Sequence, residues 1–129
     1  LAMQRGPVST GKSHEDNRRF AAAYKVGDLV FTAGMTARGP DGKLVGAGDV
    51  AAQARQCAAN VIAALEAAGS NASQIVKLTV YVTDIATYQP LSAALDPLYA
   101  SRPASTLIEI SKLASPDMLI EVEAVAALV

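Results

Sequence analysis

Glu121 is the residue whose placement most suggests chemistry. It alternates with Ile120, Val122, Ala124 and Ala126 in the last β-prone run, which places it inside a sheet. A carboxylate there is either a satisfied or edge side chain, or a group at a subunit boundary that orients water or takes a proton. Burial alone demands a partner and not a role. The one histidine, His14, stands in a polar stretch with no sequence-near partner and reads as a solvated side chain. The one cysteine, Cys57, recurs with Ala54, Val61 and Leu65 on an apolar helical face and reads as a small buried hydrophobe. One cysteine excludes an intrachain disulfide and any multi-cysteine zinc or iron–sulfur site, and one histidine excludes histidine-cluster metal chemistry.

A phosphate-cradling pattern, Gly6-Pro7-Val8-Ser9-Thr10-Gly11-Lys12-Ser13, stands near the N-terminus. Its mechanism needs a buried strand before the loop and a helix after it, whose first amides meet the phosphates. Only five residues precede Gly6, and His14-Glu15-Asp16-Asn17-Arg18-Arg19 has no apolar face, so the match reads as a decoy. Arg18-Arg19 reads as a surface pair. Asn71-Ala72-Ser73 fits a glycosylation acceptor but, with no secretion signal beside it, reads as a turn.

The chain around these residues has 129 positions, the size of one domain. Eleven Lys and Arg against twelve Asp and Glu give a net charge of −1, which argues against a basic nucleic-acid binder and an acidic disordered tail. Of the 51% apolar residues, 26 are alanine and only six of the chain's residues are aromatic. Such a core buries little area per side chain, at roughly 25 cal/mol per Å², and a thin core favours oligomerisation. Charged residues or glycine interrupt every apolar stretch before the roughly 18 residues a membrane helix needs. Met3 reads as a start, with Leu1 and Ala2 ahead of it and no signal peptide. The expectation is a cytoplasmic protein with no membrane and no nucleic-acid partner.

Residues 1–19 are polar and irregular and read as an N-terminal arm, mobile or docked; residues 20–129 read as a single domain. Runs 21–26 and 29–33 flank Gly27-Asp28, a hairpin signal. The glycine-rich stretch 38–48 reads as a loop with a short return strand near 43–45. Asp49 caps the clearest helix. Ala54, Cys57, Ala58, Val61, Ile62 and Leu65 form its apolar face, with Gln53, Arg55, Gln56, Asn60 and Glu66 on the other, and Gly69 ends it. In the strand 75–83, Val76, Leu78, Val80 and Val82 point one way, and Lys77, Thr79, Tyr81 and Thr83 the other. A second helix is expected over 88–100 with Thr87 as cap, kinked or shortened at Pro97. Strands 104–111 and 119–128 close the chain. The order implies an α+β domain, two helices packed on one face of a mostly antiparallel sheet. The other face carries Thr79, Tyr81, Leu107 and Val125, which contact between subunits would cover.

Read in order, these segments resemble the reactive intermediate deaminase family, also called the RidA or YjgF family, along about 110 residues from Phe20 onward. Val26-Gly27-Asp28-Leu29-Val30-Phe31-Thr32-Ala33-Gly34 is similar to the family's strand ending in glycine. Asp49-Val50-Ala51-Ala52-Gln53-Ala54-Arg55-Gln56 with Asn60-Val61 is similar to its first helix. Ala67-Ala68-Gly69, Ile75-Val76-Lys77-Leu78-Thr79-Val80-Tyr81-Val82-Thr83-Asp84, Arg102-Pro103-Ala104 and Ile120-Glu121-Val122-Glu123-Ala124-Val125-Ala126 follow in the family's order.

The resemblance implies a chorismate-mutase-like fold and a homotrimer with small-molecule sites in clefts between subunits. It implies hydrolysis of imine and enamine intermediates to 2-oxo acids and ammonia, with an arginine on the substrate carboxylate, a glutamate placing the water, and no metal or organic cofactor. Glu121 and Gly34 match the family's site. Ser105 stands where the arginine does, and a hydroxyl cannot supply a charged bidentate fork. Leu107 replaces a cysteine, Phe20 a tyrosine and Ala33 a serine; Ser92 aligns loosely with an asparagine of the second helix. The implied site is therefore Glu121 as the catalytic residue, with Ser105, Thr106, Gly34, Ala33, Phe20, Leu107 and Arg102 about the substrate. The expected function is deaminase-like hydrolysis of a reactive intermediate other than the usual 2-imino acids. The alternatives are a non-catalytic small-molecule binding or sensing trimer on the same cleft, and an interaction or chaperone-like protein.

Overall fold

The computed structural model describes residues 3–129; Leu1 and Ala2, read as lying ahead of the start, fall outside the described residues. The elements are strands β1 (Arg5–Val8), β2 (Ala23–Val26) and β3 (Leu29–Thr32), helix α1 (Val50–Ala67), strand β4 (Ile75–Val82), helix α2 (Tyr88–Ala94), and strands β5 (Ala104–Glu109) and β6 (Ile120–Ala127). Short 3-10 turns fall at Ser13–Glu15, Ala72–Gln74, Ile85–Thr87 and Asp96–Leu98.

All six strands form one sheet in the order β1-β2-β3-β6-β4-β5. The β2–β3 hairpin turns at Gly27, φ +56°, and Asp28, as the Gly-Asp pair implies. Part of the sequence reading of residues 1–19 is corrected: 5–8 are not irregular but pair antiparallel with β2 at the sheet edge. The expected return strand near 43–45 is a single bridge between Arg38 and Leu44.

The expectation of a chorismate-mutase-like fold is also corrected, while the mostly antiparallel sheet is kept in four of its five strand pairings. The sheet is mixed: β3–β6 and β4–β6 are antiparallel, whereas β4 and β5 run parallel from Lys77↔Ala104 to Val82↔Glu109. The reason is the connection. Between β4 and β5 the chain crosses over through α2 and returns in the same direction, which a hairpin cannot do. What holds is an α+β architecture with two helices among the described residues.

One core lies between the helices and the sheet face carrying Val30, Leu78, Val80, Ile120, Val122 and Ala124. Asp49 caps α1 by accepting from the Ala52 amide at 3.1 Å. Ala54, Cys57, Ala58, Val61 and Leu65 are buried as the periodicity requires. Gln53 and Asn60, expected on the wet side, are buried as well. Helix α2 stops at Ala94 and continues only as the 3-10 turn around Pro97, so the shortening by proline is realised. In β4 an irregularity between Ile75 and Lys77 moves Val76 to the exposed side, 49% accessible, and lets Ile75 take the buried place.

Candidate active site

The start of β6, the segment after β3 and the N-terminal segment converge on a cavity of about 350 Å³, lined in part by Glu121, Gly34, Phe20, Lys12, Arg18 and Arg38. Glu121 reaches it because Met35 bridges Val122, its amide donating to the Val122 carbonyl at 2.7 Å, which draws the chain after β3 alongside the start of β6. Gly34 then faces the Glu121 side chain. A Cβ at position 34 would lie 2.7 Å from both Cδ and Oε1 of Glu121, inside contact distance. Glu121 is half-buried. Burial, with the nearby Glu123 charge adding to it, pushes its carboxyl above the ordinary range. Glu123 itself accepts from Tyr81 Oη at 2.5 Å.

The structure brings only part of the expected set together. Glu121, Gly34 and Phe20 share the cavity. Ala33 adjoins it, with its amide donating to Ala22 O at 2.8 Å. Ser105 and Leu107 instead line a separate cleft of about 460 Å³ between β5 and α2, with Ser92, Asp96, Tyr88 and Tyr99. Ser105 Oγ and Tyr99 Oη are 3.0 Å apart. Leu107, expected on the outer sheet face, is opposite Val80 in register and packs against the core. Thr106 points to the outer face, where its Oγ1 accepts from Lys77 Nζ at 2.6 Å. Arg102 lines a shallow groove with Ile75 and Pro103 and adopts φ +55°, the positive-φ non-glycine residue of the described backbone.

Two further groups lie about the cavity, and of them Asn60, Thr10 and Glu15 line it. Asn60, at i+3 from Cys57, donates through Nδ2 to the carbonyls of Thr36 (2.9 Å) and Arg38 (2.8 Å), and its Oδ1 accepts from Lys12 Nζ and Gln56 Nε2, each at 2.9 Å. Gln53, at i−4, donates to Gly46 O and Asp117 O and accepts from the Leu119 amide. The spacing 53, 57, 60, 64 was the available signal, since it puts both amides on the cysteine's face. The second group is the arm's polar cluster. Glu15 accepts from Ser9 Oγ (3.1 Å), the Thr10 amide (3.0 Å) and Thr10 Oγ1. Burial opposes its ionisation, but these bonds outweigh burial and hold the carboxyl below its ordinary range.

The phosphate-cradling pattern is dissolved by this arrangement. Gly6, Pro7 and Val8 belong to an edge strand, and the loop behind them closes on the Glu15 carboxylate, with only a three-residue 3-10 turn following. Cys57 is buried, donates to Ile120 O at 3.8 Å, and burial pushes its thiol up to about 12, with Glu121 adding to the effect. It is no nucleophile at neutral pH. Among the described residues no three His, Cys, Asp or Glu side chains are grouped to hold a metal ion, and no helix is long and apolar enough to cross a membrane.

A mixed sheet backed by two helices is a scaffold shared with known proteins. Residues 11–128 match the family model described as Endoribonuclease L-PSP. A RutC family protein of Pyrococcus abyssi is 31% identical over 125 residues, covering 96% of this chain and 98% of that protein. The 2-iminobutanoate/2-iminopropanoate deaminase of Escherichia coli is 33% identical over 130 residues, covering 98% and 94%. The crystal structure of E. coli TdcF with bound serine superimposes with a TM-score of 0.86 at 26% identity, covering 96% of this chain and 99% of that one. The chain belongs to the Endoribonuclease L-PSP family, which is the RidA/YjgF family its sequence resembles. That family includes enzymes, the E. coli deaminase among them.

Proposed function

We propose that the chain is an imine or enamine deaminase acting on a reactive small molecule other than the usual 2-imino acids. The observation that carries the reading is the half-buried Glu121 on Gly34, facing a cavity large enough for a small metabolite. An iminium carbon is already electrophilic, so the protein needs mainly to hold substrate and water in reach. Glu121 accepts a proton from water as the oxygen adds to the C=N carbon. It passes that proton to nitrogen and takes the hydroxyl proton as the C–N bond breaks, so that a carbonyl compound and ammonia leave. Phe20 and Gly34 form part of the wall. The activity for which the E. coli relative is named, deamination of 2-iminobutanoate and 2-iminopropanoate, supports the reaction class; Ser105, without a guanidinium, argues for a different substrate.

Ser105, Thr106 and Leu107 lie away from Glu121 within one chain, so the reading includes a homotrimer whose clefts join β5 of one subunit to the Glu121 cavity of the next. Support comes from the outer sheet face, where Tyr24, Leu29, Phe31 and Ile108 are 39–42% exposed. A face of that kind calls for cover. Three chains of 13.3 kDa give about 40 kDa.

The test generates imines in situ with an amino-acid oxidase or a PLP lyase and follows their decay with and without protein. Expected is slow acceleration for 2-iminopropanoate, faster decay for at least one imine with another side chain, and loss of both in Glu121→Gln. No acceleration for any imine, with a small ligand still bound, would replace this reading by the non-catalytic binding trimer. A stable monomer in sedimentation at micromolar concentration would overturn the shared cleft.

A further inference from the structure

We infer that the cleft between α2 and β5 is a cation subsite, in which Asp96 selects a substrate whose far end is an ammonium or guanidinium group. For the imine end of that substrate the inference rests on the deaminase reading; the subsite itself is tested by binding alone.

The chemistry follows from what lines the cleft. Asp96, Tyr88, Tyr99, Ser92 and Ser105 supply its polar groups, over an apolar floor that includes the buried Val80, Leu91 and Leu95. Asp96 is the one charged residue among them. It is exposed, and it enters no salt bridge among the described residues. Its place is fixed by the 3-10 turn Asp96–Leu98, which Pro97 stiffens.

Sequence and register both keep cations of the chain out of this cleft. Between Lys77 and Lys112 there is one basic residue, Arg102, against three acids, Asp84, Asp96 and Glu109. Lys77 serves the other face of the sheet, where its Nζ donates to Thr106 Oγ1, and Arg102 lines the separate groove beside Pro103. Asp84 and Glu109 are already engaged, accepting from the Ala86 and Ile85 amides at 3.0 Å each. Asp96 is left to meet a ligand. With serine at position 105, it alone sets the sign of the cleft.

The neutral groups suit the same ligand. Tyrosine rings attract an ammonium or guanidinium group through their π faces, and Tyr88 and Tyr99 both line the cleft. Tyr99 Oη and Ser105 Oγ are 3.0 Å apart. One hydrogen joins them, and their remaining lone pairs can accept from an N–H donor. A carboxylate entering here would meet an acid and no cation. A cation would meet a carboxylate, two aromatic rings and hydroxyl acceptors, in a cleft of about 460 Å³ that admits a molecule of metabolite size.

The experiment titrates the full-length protein by calorimetry with 1,4-diaminobutane, with the neutral 1,4-butanediol and with magnesium chloride, at constant ionic strength. Expected is saturable binding of the diamine, none of the diol, and diamine binding weaker by at least about tenfold in Asp96→Asn, with part of the affinity restored in Asp96→Glu. Unchanged circular dichroism and mass of assembly show that the variants fold. Magnesium displacing the diamine at equal concentration would overturn the subsite in favour of an unspecific electronegative surface. Diamine binding that Asp96→Asn leaves unchanged would overturn the assignment of Asp96. A second arm uses an L-amino-acid oxidase to generate the imines of arginine and of citrulline, which are nearly isosteric and differ by one charge. Expected is a kcat/KM at least about tenfold higher for the arginine imine, expressed through KM, and loss of that preference in Asp96→Asn. Diamine binding without turnover of any imine upholds the subsite and counts only against the deaminase reading. Equal turnover of both imines, unaltered in Asp96→Asn, overturns the selection by Asp96 and leaves the deaminase reading standing.

Discussion

Gly34 and Glu121 are mutually exclusive with any side chain between them: a Cβ at position 34 would lie 2.7 Å from the Glu121 carboxylate carbon. The atoms it would meet are the far end of a flexible side chain, so Gly34→Ala is relieved by swinging the carboxylate away rather than by moving the sheet. Stability should fall by about 1 kcal/mol, the low end for overpacking. Imine decay should slow at least tenfold, because the water-placing group is displaced. Thermal unfolding beside the in situ imine assay separates the two effects. A variant with full activity would show that the carboxylate does not act from its present position.

Glu121 also sets a pH dependence. Its folded-state carboxyl titrates above the ordinary glutamate value, chiefly through burial. The protonated form is thus favoured on folding. The associated stability is present below the ordinary glutamate pKa and is lost as pH rises through the raised value. Glu121→Gln should therefore match wild type in acid and become the more stable of the two above that window. The activity of wild type should rise over the same window as the base ionises. Melting curves at stepped pH check the first statement and a pH–rate profile the second. A variant less stable than wild type at neutral pH would contradict the sign.

Asn60 holds the loop that carries Arg38 and also positions Lys12, with its Nδ2 on two carbonyls and its Oδ1 on two donors. Asn60→Ala strands the Thr36 and Arg38 carbonyls and should cost roughly 2–3 kcal/mol, as losses of buried partners do. Chemical denaturation reads that cost. Lys12→Gln, by contrast, should leave stability within about 0.5 kcal/mol, the usual range for surface changes.

Those amides also show what was legible in the chain. The period of α1, its Asp49 cap, the Gly-Asp hairpin and the alternation of β6 are local signals, and each is realised. Gln53 and Asn60 were misassigned because polarity was read as exposure; a buried amide with both ends bonded is invisible without the loops it serves. Val76 was misassigned because a bulge shifts the alternation by one residue, and nothing local marks it. The parallel β4–β5 pairing is a property of the crossover, not of either strand. At the site, Glu121 and Gly34 were readable from pattern and resemblance. The cations were not: Lys12 and Arg18 lie far in sequence from Glu121, in a stretch with no periodicity at all.

The substitution that most directly probes the divergent position is Ser105→Arg. Ser105 lies in the cleft between β5 and α2, its Oγ 3.0 Å from Tyr99 Oη. A new guanidinium that reaches a shared cleft should bind a 2-oxo acid carboxylate with about 1.5–3 kcal/mol, the range for hydrogen bonds to charged groups. That is a roughly tenfold to hundredfold gain in affinity at 1.4 kcal/mol per decade. Asp96 lines the same cleft and offers the arginine a competing carboxylate, so the single variant should gain less than Ser105→Arg combined with Asp96→Asn. Calorimetry with pyruvate and 2-oxobutanoate on wild type and both variants measures the order. Wild type should bind these acids weakest and the double variant tightest, with 2-iminopropanoate decay rising in the same sequence. If both variants keep the assembly of wild type and bind no tighter, the side chain at position 105 does not face the ligand, and the joining of β5 to the Glu121 cavity of a neighbouring subunit is wrong.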